Sequence, residues 1–149
     1  EIAQCLVGSE MCIRDRRYKD KLEFEIDVEP SILNIPLIKL VLQPIIENAI
    51  YHGLKYKESK GLLQVKGFMK DGNAVLQVID NGVGMDEETL SHIYDKHKVN
   101  YHSNGVGVYN VQKRLKLYYG ENYGITYESE KGVGTTATIT IPGIQEESI

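Results

Sequence analysis

Alternating apolar and acidic residues form the first clear pattern along this chain. In LEFEIDV, residues 22–28, the apolar residues fall on one face and the acidic residues on the other. A period of two predicts a strand with one face toward a core and one toward solvent. Glu29 and Pro30 follow, and they predict that the strand ends there.

The second pattern has a helical period. From Pro36 to Gly53, apolar residues recur three or four positions apart, as at Ile38 and Leu42. This spacing predicts a helix with one apolar face that begins at Pro36 and ends at Gly53. Pro44 lies inside the pattern, so we expect the helix to kink or restart there.

Two pairs of β-rich runs predict hairpins. Residues 62–70 and 74–80 flank an Asp-Gly dipeptide, which is typical of a tight two-residue turn. Residues 123–129 and 135–141 flank a glycine-containing turn in the same way. The first hairpin ends on a carboxylate, Asp80.

The segment between the hairpins predicts a short helix over residues 86–93, a polar mobile loop over 94–104 and a long helix from Gly105 to Gly120. Four residues form the expected apolar face of the long helix: Val108, Val111, Leu115 and Tyr118. The order strand, helix, hairpin, helix, hairpin is not the βαβ alternation of a doubly wound sheet. We therefore expect an α/β (α+β) two-layer sandwich, with helices on one face of a mixed, mostly antiparallel sheet.

The composition supports one globular domain and removes several classes of function. The chain has 149 residues, of which 42% are apolar and 26% charged, a balance typical of a domain with a real core. No apolar stretch is long enough to span a membrane. The net charge of -4 has the wrong sign for binding nucleic acid. No cysteine follows Cys12, so we expect no disulfide framework and favour a reducing compartment.

Four polar or glycine-rich clusters lie at the ends of these elements. They are Glu47-Asn48, residues 80–84 (DNGVG), residues 105–107 (GVG) and residues 132–136 (GVGTT). Glu47 and Asn48 could hold a hard cation such as Mg²⁺, although a solvated helix edge is the better explanation of this pair taken alone. Asp80 could accept a hydrogen bond from an exocyclic amine, or it could cap the turn after its strand.

The glycines at 105–107 precede a helix, whose N-terminal amides can bind an anion. The segment is not a dinucleotide-binding fingerprint, because Asn110 stands where the third glycine is required. No Gly-Lys-Ser or Gly-Lys-Thr of a Walker P-loop occurs in the chain. A nucleotide would therefore be bound in another way.

The four clusters, taken in order, resemble the GHKL ATP-binding fold of gyrase-type ATPases, Hsp90, mismatch-repair ATPases and histidine kinases. The segments LQPIIENAIYHG (42–53), DNGVGM (80–85) and GVGVYNVQKRLKLYYG (105–120) are similar to the catalytic domain of LytS/YesM-type sensor histidine kinases. The resemblance covers residues 17–142. It implies a Bergerat-type fold and a protein histidine kinase domain.

The resemblance also implies roles at an ATP site. Asn48 would coordinate the Mg²⁺ that bridges the ATP phosphates, and Glu47 would lie beside the transferred phosphoryl group. Asp80 would bind the adenine amino group, and Gly84 would shape the pocket. Thr135 would support Asp80 through its hydroxyl or through a water.

The resemblance extends the expected site around the phosphates. The loop over residues 86–104 would be an ATP lid, and the amides of Gly105 and Gly107 would contact the phosphates as it closes. Six further residues match positions of the family near the nucleotide: His52, Gly82, Met85, Val106, Asn110 and Arg114.

The resemblance implies partners that lie outside this chain. The catalytic domain would span residues 17–142, followed by a tail over 143–149. We interpret residues 1–16 as a cloning artefact or the remnant of a linker helix. The γ-phosphate of ATP would pass to a histidine on the protein's own dimerisation domain, and a response regulator would act downstream. The full-length protein would be a homodimeric, membrane-anchored bacterial sensor, with this cytoplasmic domain making no membrane contact itself.

Three alternatives stay open at this point. The chain could be a GHKL ATPase, a non-catalytic module that senses a nucleotide, or a serine kinase of the anti-sigma type. None of its four histidines lies in a phospho-acceptor motif, so the chain would not phosphorylate itself by the usual route.

Overall fold

A computed structural model describes most of the predicted domain. The described residues are 2, 22–33, 35, 37, 41–50, 61–91 and 105–143. Every structural statement below concerns these residues.

Among the described residues, five strands form one sheet. They are β1 (Leu22–Val28), β2 (Gly61–Lys70), β3 (Asn73–Asp80), β4 (Gly124–Glu130) and β5 (Gly134–Pro142). The order across the sheet is β1-β2-β3-β5-β4. β1 runs parallel to β2, and the other three pairs are antiparallel. The prediction of a mixed, mostly antiparallel sheet is confirmed.

Three α-helices have both ends within the described residues: α1 (Leu42–Asn48), α2 (Glu87–Ser91) and α3 (Gly105–Tyr119). A 3₁₀ turn covers Pro30–Ile32. None of these helices is both long and apolar enough to cross a lipid bilayer.

The core lies between the helices and one face of the sheet. α1 contributes Leu42, Ile45 and Ile46 to the buried cluster, and α3 contributes Val111 and Leu115. Alternate residues of the strands supply the other side, since side chains two positions apart share a face. The opposite face of the edge strands is exposed and carries polar residues, among them Glu25, Asp27, Thr126 and Glu128. The predicted two-layer sandwich is confirmed.

The two tight connections follow from turn chemistry. Asp71 and Gly72 join β2 to β3 with φ angles of 52° and 80°, as a two-residue hairpin turn with two positive φ angles requires. Gly120 ends α3 with a φ of 114°, and its N–H donates to the carbonyl of Lys116 at 3.0 Å.

The predicted start of the first long helix is wrong. α1 begins at Leu42, and both Leu37 and Val41 lie outside it. Pro44 therefore lies in the first turn, where its missing N–H breaks no intrahelical hydrogen bond. Of the two alternatives predicted for Pro44, a kink or a restart, the structure agrees with a helix that starts beside the proline. Gly53, the predicted end, lies outside the described residues.

The predicted apolar face of the second long helix needs one correction. Val111 and Leu115 are buried, but Tyr118 is 66% exposed. Tyr119 packs against the core in its place. The reason is the helical period of 3.6 residues. Positions 118 and 119 both lie about one turn after Leu115, so either could face the core. The Val108 side chain is outside the description.

One residue of the predicted segment 1–16 is described. Ile2 is fully buried in the core, and its N–H donates to the carbonyl of Ile35 at 3.1 Å. The rest of that segment lies outside the described residues, so our interpretation of its origin stays a prediction.

Candidate functional site

A partly open cavity lies between α1 and the inner face of the sheet. Its walls come from α1, the three strands β3, β4 and β5, and the loop after β3. The lining residues are Ile45, Asn48, Ala49, Val78, Asp80, Gly84, Met85, Tyr127, Thr135 and Ala137. A mostly apolar concave site with a few polar groups is the usual form of a small-molecule site.

Strand register brings the strand residues of this wall together. Asp80 is paired with Thr135, and Thr135 is paired with Ser129. These three residues form one row across the sheet. Two residues along the strands lies a second row, in which Ala137 is paired with Val78 on one side and with Tyr127 on the other. Because directly paired residues and residues two apart share a face, both rows point toward the helices.

Two polar side chains are buried among the described residues, and both line the cavity. Asp80 is 5% exposed and Asn48 is 8% exposed. Asn48 lies on α1 three residues after Ile45, so these two residues face the same way. Buried polar groups are costly without hydrogen-bonding partners, so two in one cavity mark it as the candidate site.

Asp80 also caps the turn that follows β3. Its Oδ1 accepts a hydrogen bond from the N–H of Gly82 at 2.9 Å. A carboxylate has about four acceptor positions on two oxygens. The capping interaction and the binding of a donor on a ligand are therefore compatible roles for one side chain.

The neighbouring residue holds the end of β3 in place. The side-chain Oδ1 of Asn81 accepts from the N–H of Leu62 at 2.8 Å, and the N–H of Asn81 donates to the carbonyl of Leu62 at 3.3 Å. This pair of bonds ties the strand end to β2 and so orients Asp80 toward the cavity.

Gly84 allows the loop after β3 to lie directly on the β4–β5 turn. Its φ is +71°, and a Cβ at this position would overlap the carbonyl oxygen of Glu130. Beside it, the N–H of Gly132 donates to the carbonyl of Val83 at 2.7 Å. Only a residue without a side chain fits both the backbone angle and the close approach.

A pair of hydroxyl groups lies next to this contact. The N–H of Met85 donates to Ser129 Oγ at 2.8 Å, and Ser129 Oγ lies 2.8 Å from Thr135 Oγ1. Thr135 stands directly opposite Asp80 in the sheet. Its hydroxyl bonds to Ser129, and the support of Asp80 that the sequence predicts for it stays a prediction.

The chain matches the family described as "Histidine kinase-, DNA gyrase B-, and HSP90-like ATPase" over residues 34–145. The chain belongs to this ATPase family. The resemblance to the GHKL superfamily that the sequence motifs indicate is confirmed.

Curated relatives of this ATPase domain include a sensor histidine kinase and a sensor protein. The domain is 31% identical over 137 residues to the sensor histidine kinase YesM of Bacillus subtilis, covering 92% of this chain and 22% of the relative. It is 34% identical over 108 residues to the sensor protein LytS of Oceanobacillus iheyensis, covering 71% of this chain and 18% of the relative. The chain thus spans about a fifth of the length of these two relatives.

Solved structures share the fold of this ATPase domain. The catalytic domain of histidine kinase ThkA superposes with a TM-score of 0.70 at 17% identity, covering 95% of this chain and 91% of that one. The two domains therefore share a fold.

The structure of this ATPase domain brings five predicted site residues into one cavity: Asn48, Asp80, Gly84, Met85 and Thr135. Gly82 lies in the adjoining turn, where its N–H binds Asp80. Glu47 lies on a different face of α1 from Asn48. Its Oε1 accepts a hydrogen bond from Gln43 Nε2 at 3.2 Å. Within the described part of the chain, Glu47 does not line the cavity.

The remaining predicted residues lie on α3 or outside the description. Gly105, Val106 and Gly107 form the first turn of α3, while Asn110 is exposed and Arg114 is half-buried further along it. Asn110 and Arg114 do not line the described part of the cavity. His52 and residues 92–104 of the predicted lid lie beyond those ranges, so their roles stay predictions.

Besides the apolar lining residues Ile45, Ala49, Val78 and Ala137, the sequence motifs miss two hydroxyl-bearing residues of the site region, Tyr127 and Ser129. Both lie on the inner face of β4, Tyr127 in the wall and Ser129 in the hydroxyl pair. The available signal is the hairpin register, which pairs β4 with the strand that carries Thr135. Counting back across the turn from Thr135 would place both residues beside Asp80.

Proposed function

We propose that this ATPase domain binds Mg·ATP in the cavity and transfers the γ-phosphate to a histidine of a phospho-acceptor domain outside this chain. The observation that supports this best is the pair of buried polar side chains, Asp80 and Asn48, in one mostly apolar cavity. The two groups suit opposite ends of a nucleotide. Asp80 is an acceptor for a base amine, and Asn48 offers an amide oxygen to a hard cation.

The base end of the cavity has the chemistry that adenine requires. Apolar side chains of Ile45, Val78 and Ala137 line it and can cover the faces of a purine. The Asp80 carboxylate accepts a hydrogen bond from the exocyclic amine, which a guanine or hypoxanthine base lacks at that position.

The residues present also fit Mg²⁺ at the phosphate end. Mg²⁺ takes oxygen ligands and commonly needs only one or two from the protein, with phosphates and waters completing the set. Asn48 supplies one such oxygen from a buried position. When bound, the ion neutralises negative charge on the phosphates. The N–H groups of Gly105 and Gly107 at the start of α3 would add donors to the same phosphates.

In the transfer step, a nitrogen of the acceptor imidazole attacks the γ-phosphorus. A new N–P bond forms, the bond from that phosphorus to the β–γ bridging oxygen breaks, and ADP leaves with the bonding electrons. This chemistry depends mainly on positioning and charge stabilisation. Glu47, beside Asn48 on α1, would lie near the transferred group.

The names of the relatives support the wider setting. YesM is called a sensor histidine kinase and LytS a sensor protein. We extend this to the present chain as part of a homodimeric, membrane-anchored sensor that keeps this domain in the cytoplasm. A response regulator would receive the phosphoryl group from the histidine.

Transfer in trans tests the proposed function. The domain is incubated with γ-labelled Mg·ATP and a fragment of its parent protein that carries the acceptor histidine. We expect acid-labile, alkali-stable label on that fragment, as is normal for phosphohistidine. A fragment with the histidine replaced by glutamine is the matched control. Release of free phosphate alone, or label on serine, would contradict the kinase assignment.

A further inference from the structure

We propose that Ser129 is a positioning residue for the adenine end of the cavity, an inference that rests on the proposed function. Ser129 does not line the cavity itself, in the part of the chain that is described. It lies on β4, two strands from Asp80, in the row that also contains Thr135. Its role is to hold the loop that follows Asp80.

The Ser129 hydroxyl joins three groups. It accepts from the N–H of Met85 at 2.8 Å and donates to the carbonyl of Gly134 at 3.1 Å. Thr135 Oγ1 lies 2.8 Å away. Since a hydroxyl has a single proton, and Ser129 uses it on Gly134, Thr135 must donate in this last bond. One donated and two accepted bonds use the full capacity of the Ser129 hydroxyl.

This assignment orients Thr135 as well. With its proton directed to Ser129, the Thr135 oxygen presents lone pairs from the cavity wall. It can accept a hydrogen bond there, from the second proton of a base amine or from a water. Ser129 therefore sets the direction of the hydroxyl that stands opposite Asp80.

Ser129 lies beside two close backbone contacts. A Cβ at Gly84 would overlap the carbonyl oxygen of Glu130, and a Cβ at Gly134 would overlap the carbonyl oxygen of Asp80. Residues 80–85 and 129–135 thus lie against each other at both ends, and we call these two segments the clasp. Ser129 is the side chain that bonds across one end of the clasp, to Met85.

Loss of the Ser129 hydroxyl should disturb only the adenine end of the cavity. Without Ser129 Oγ, the Met85 N–H has lost its acceptor, and the loop from Asp80 to Met85 is held less firmly. The orientation of the Asp80 carboxylate then becomes less defined, so the hydrogen bond to the adenine amine weakens. Asn48 and the start of α3 have no part in the clasp, so binding of the phosphates should be unchanged.

A comparison of two nucleotides tests this inference. The wild-type domain and Ser129→Ala are titrated with Mg·ATP and with the Mg complex of inosine triphosphate, which lacks the exocyclic amine. We expect Ser129→Ala to weaken ATP binding about tenfold and to change inosine triphosphate binding by less than about twofold. Ser129→Thr keeps the hydroxyl and should restore most of the ATP affinity. Thr126→Ala removes an exposed hydroxyl from the same strand and is the matched control.

Each other outcome decides against one specific claim. If Ser129→Ala binds both nucleotides as Thr126→Ala does, the inference is wrong while the proposed function stands. If both nucleotides lose affinity equally, Ser129 supports the fold and does not position the base site. If the wild-type domain binds neither, the proposed function fails together with the inference. If Ser129→Ala does not fold, Ser129→Cys is titrated instead, because a thiol forms only weak hydrogen bonds. Its loss of affinity for ATP is then compared with its loss of affinity for inosine triphosphate.

Discussion

Asp80 and Thr135 lie directly opposite each other on antiparallel strands, and both side chains line the same cavity. The two residues are far apart in sequence, at the end of β3 and the beginning of β5. The sheet register alone puts them side by side. A carboxylate and a hydroxyl on paired residues form a small polar patch in a mostly apolar wall. Such a patch is suited to recognising one polar edge of a flat base.

Asp80→Asn should weaken Mg·ATP binding by about tenfold or more. The amide keeps an oxygen for the N–H of Gly82, so the turn can be preserved. It loses the negative charge, and its NH₂ group opposes the adenine amine if it faces the base. Isothermal titration measures the change, and Asp27→Asn on the exposed face of β1 is the control. Equal affinities in the three proteins would remove Asp80 from the adenine site.

Asn48→Ala should remove the contribution of Mg²⁺ to ATP binding. Asn48 is the buried amide of the cavity, and alanine offers no oxygen to the ion. The measurement compares ATP affinity with Mg²⁺ and with a chelator. The wild-type difference should disappear in the variant. Gln43→Ala removes an exposed amide from the same helix, and it should keep the difference in ATP affinity between Mg²⁺ and the chelator. A Mg²⁺ effect that survives in Asn48→Ala would exclude Asn48 as the ligand.

The different burial of two leucines on α3 predicts that their replacement by alanine has very different effects on the free energy of unfolding. Leu115 is fully buried and Leu117 is 77% exposed. Leu115→Ala should lower the free energy of unfolding by about 3 kcal/mol, because it leaves a cavity in the core. Leu117→Ala should change it by less than about 0.5 kcal/mol. Urea denaturation followed by circular dichroism measures both. Similar losses in the two variants would mean that another surface covers Leu117 in solution.

The strands and turns could be predicted because their signals are local. The alternation over Leu22–Val28 and the Asp71-Gly72 turn depend on neighbouring residues only, and the structure places both as expected. The start of α1 could not be fixed in this way. Pro36 and Pro44 are both suitable for a first helical turn, and the choice between them depends on packing.

The site shows the same division between local and long-range information. Asp80, Gly84 and Asn48 lie in recognisable motifs, and the cavity brings them together. Tyr127 and Ser129 lie in an ordinary strand pattern, and their place beside Asp80 follows only from the pairing of three strands. Sequence motifs thus find residues with unusual chemistry or backbone angles, and the register finds the residues that support them.

Two glycines of the clasp separate a steric effect from a backbone effect. Gly84 and Gly132 have φ angles of +71° and +86°, so alanine is strained at both. An added Cβ at Gly84 would overlap the Glu130 carbonyl, whereas at Gly132 it would meet open space. Gly132→Ala should therefore cost about 1 kcal/mol of unfolding free energy, and Gly84→Ala about 3 kcal/mol. Chemical denaturation of both variants measures the difference, and Mg·ATP affinity should fall only in Gly84→Ala. Equal costs would mean that the loop after β3 can move away from the β4–β5 turn without loss, contrary to the close contact between them.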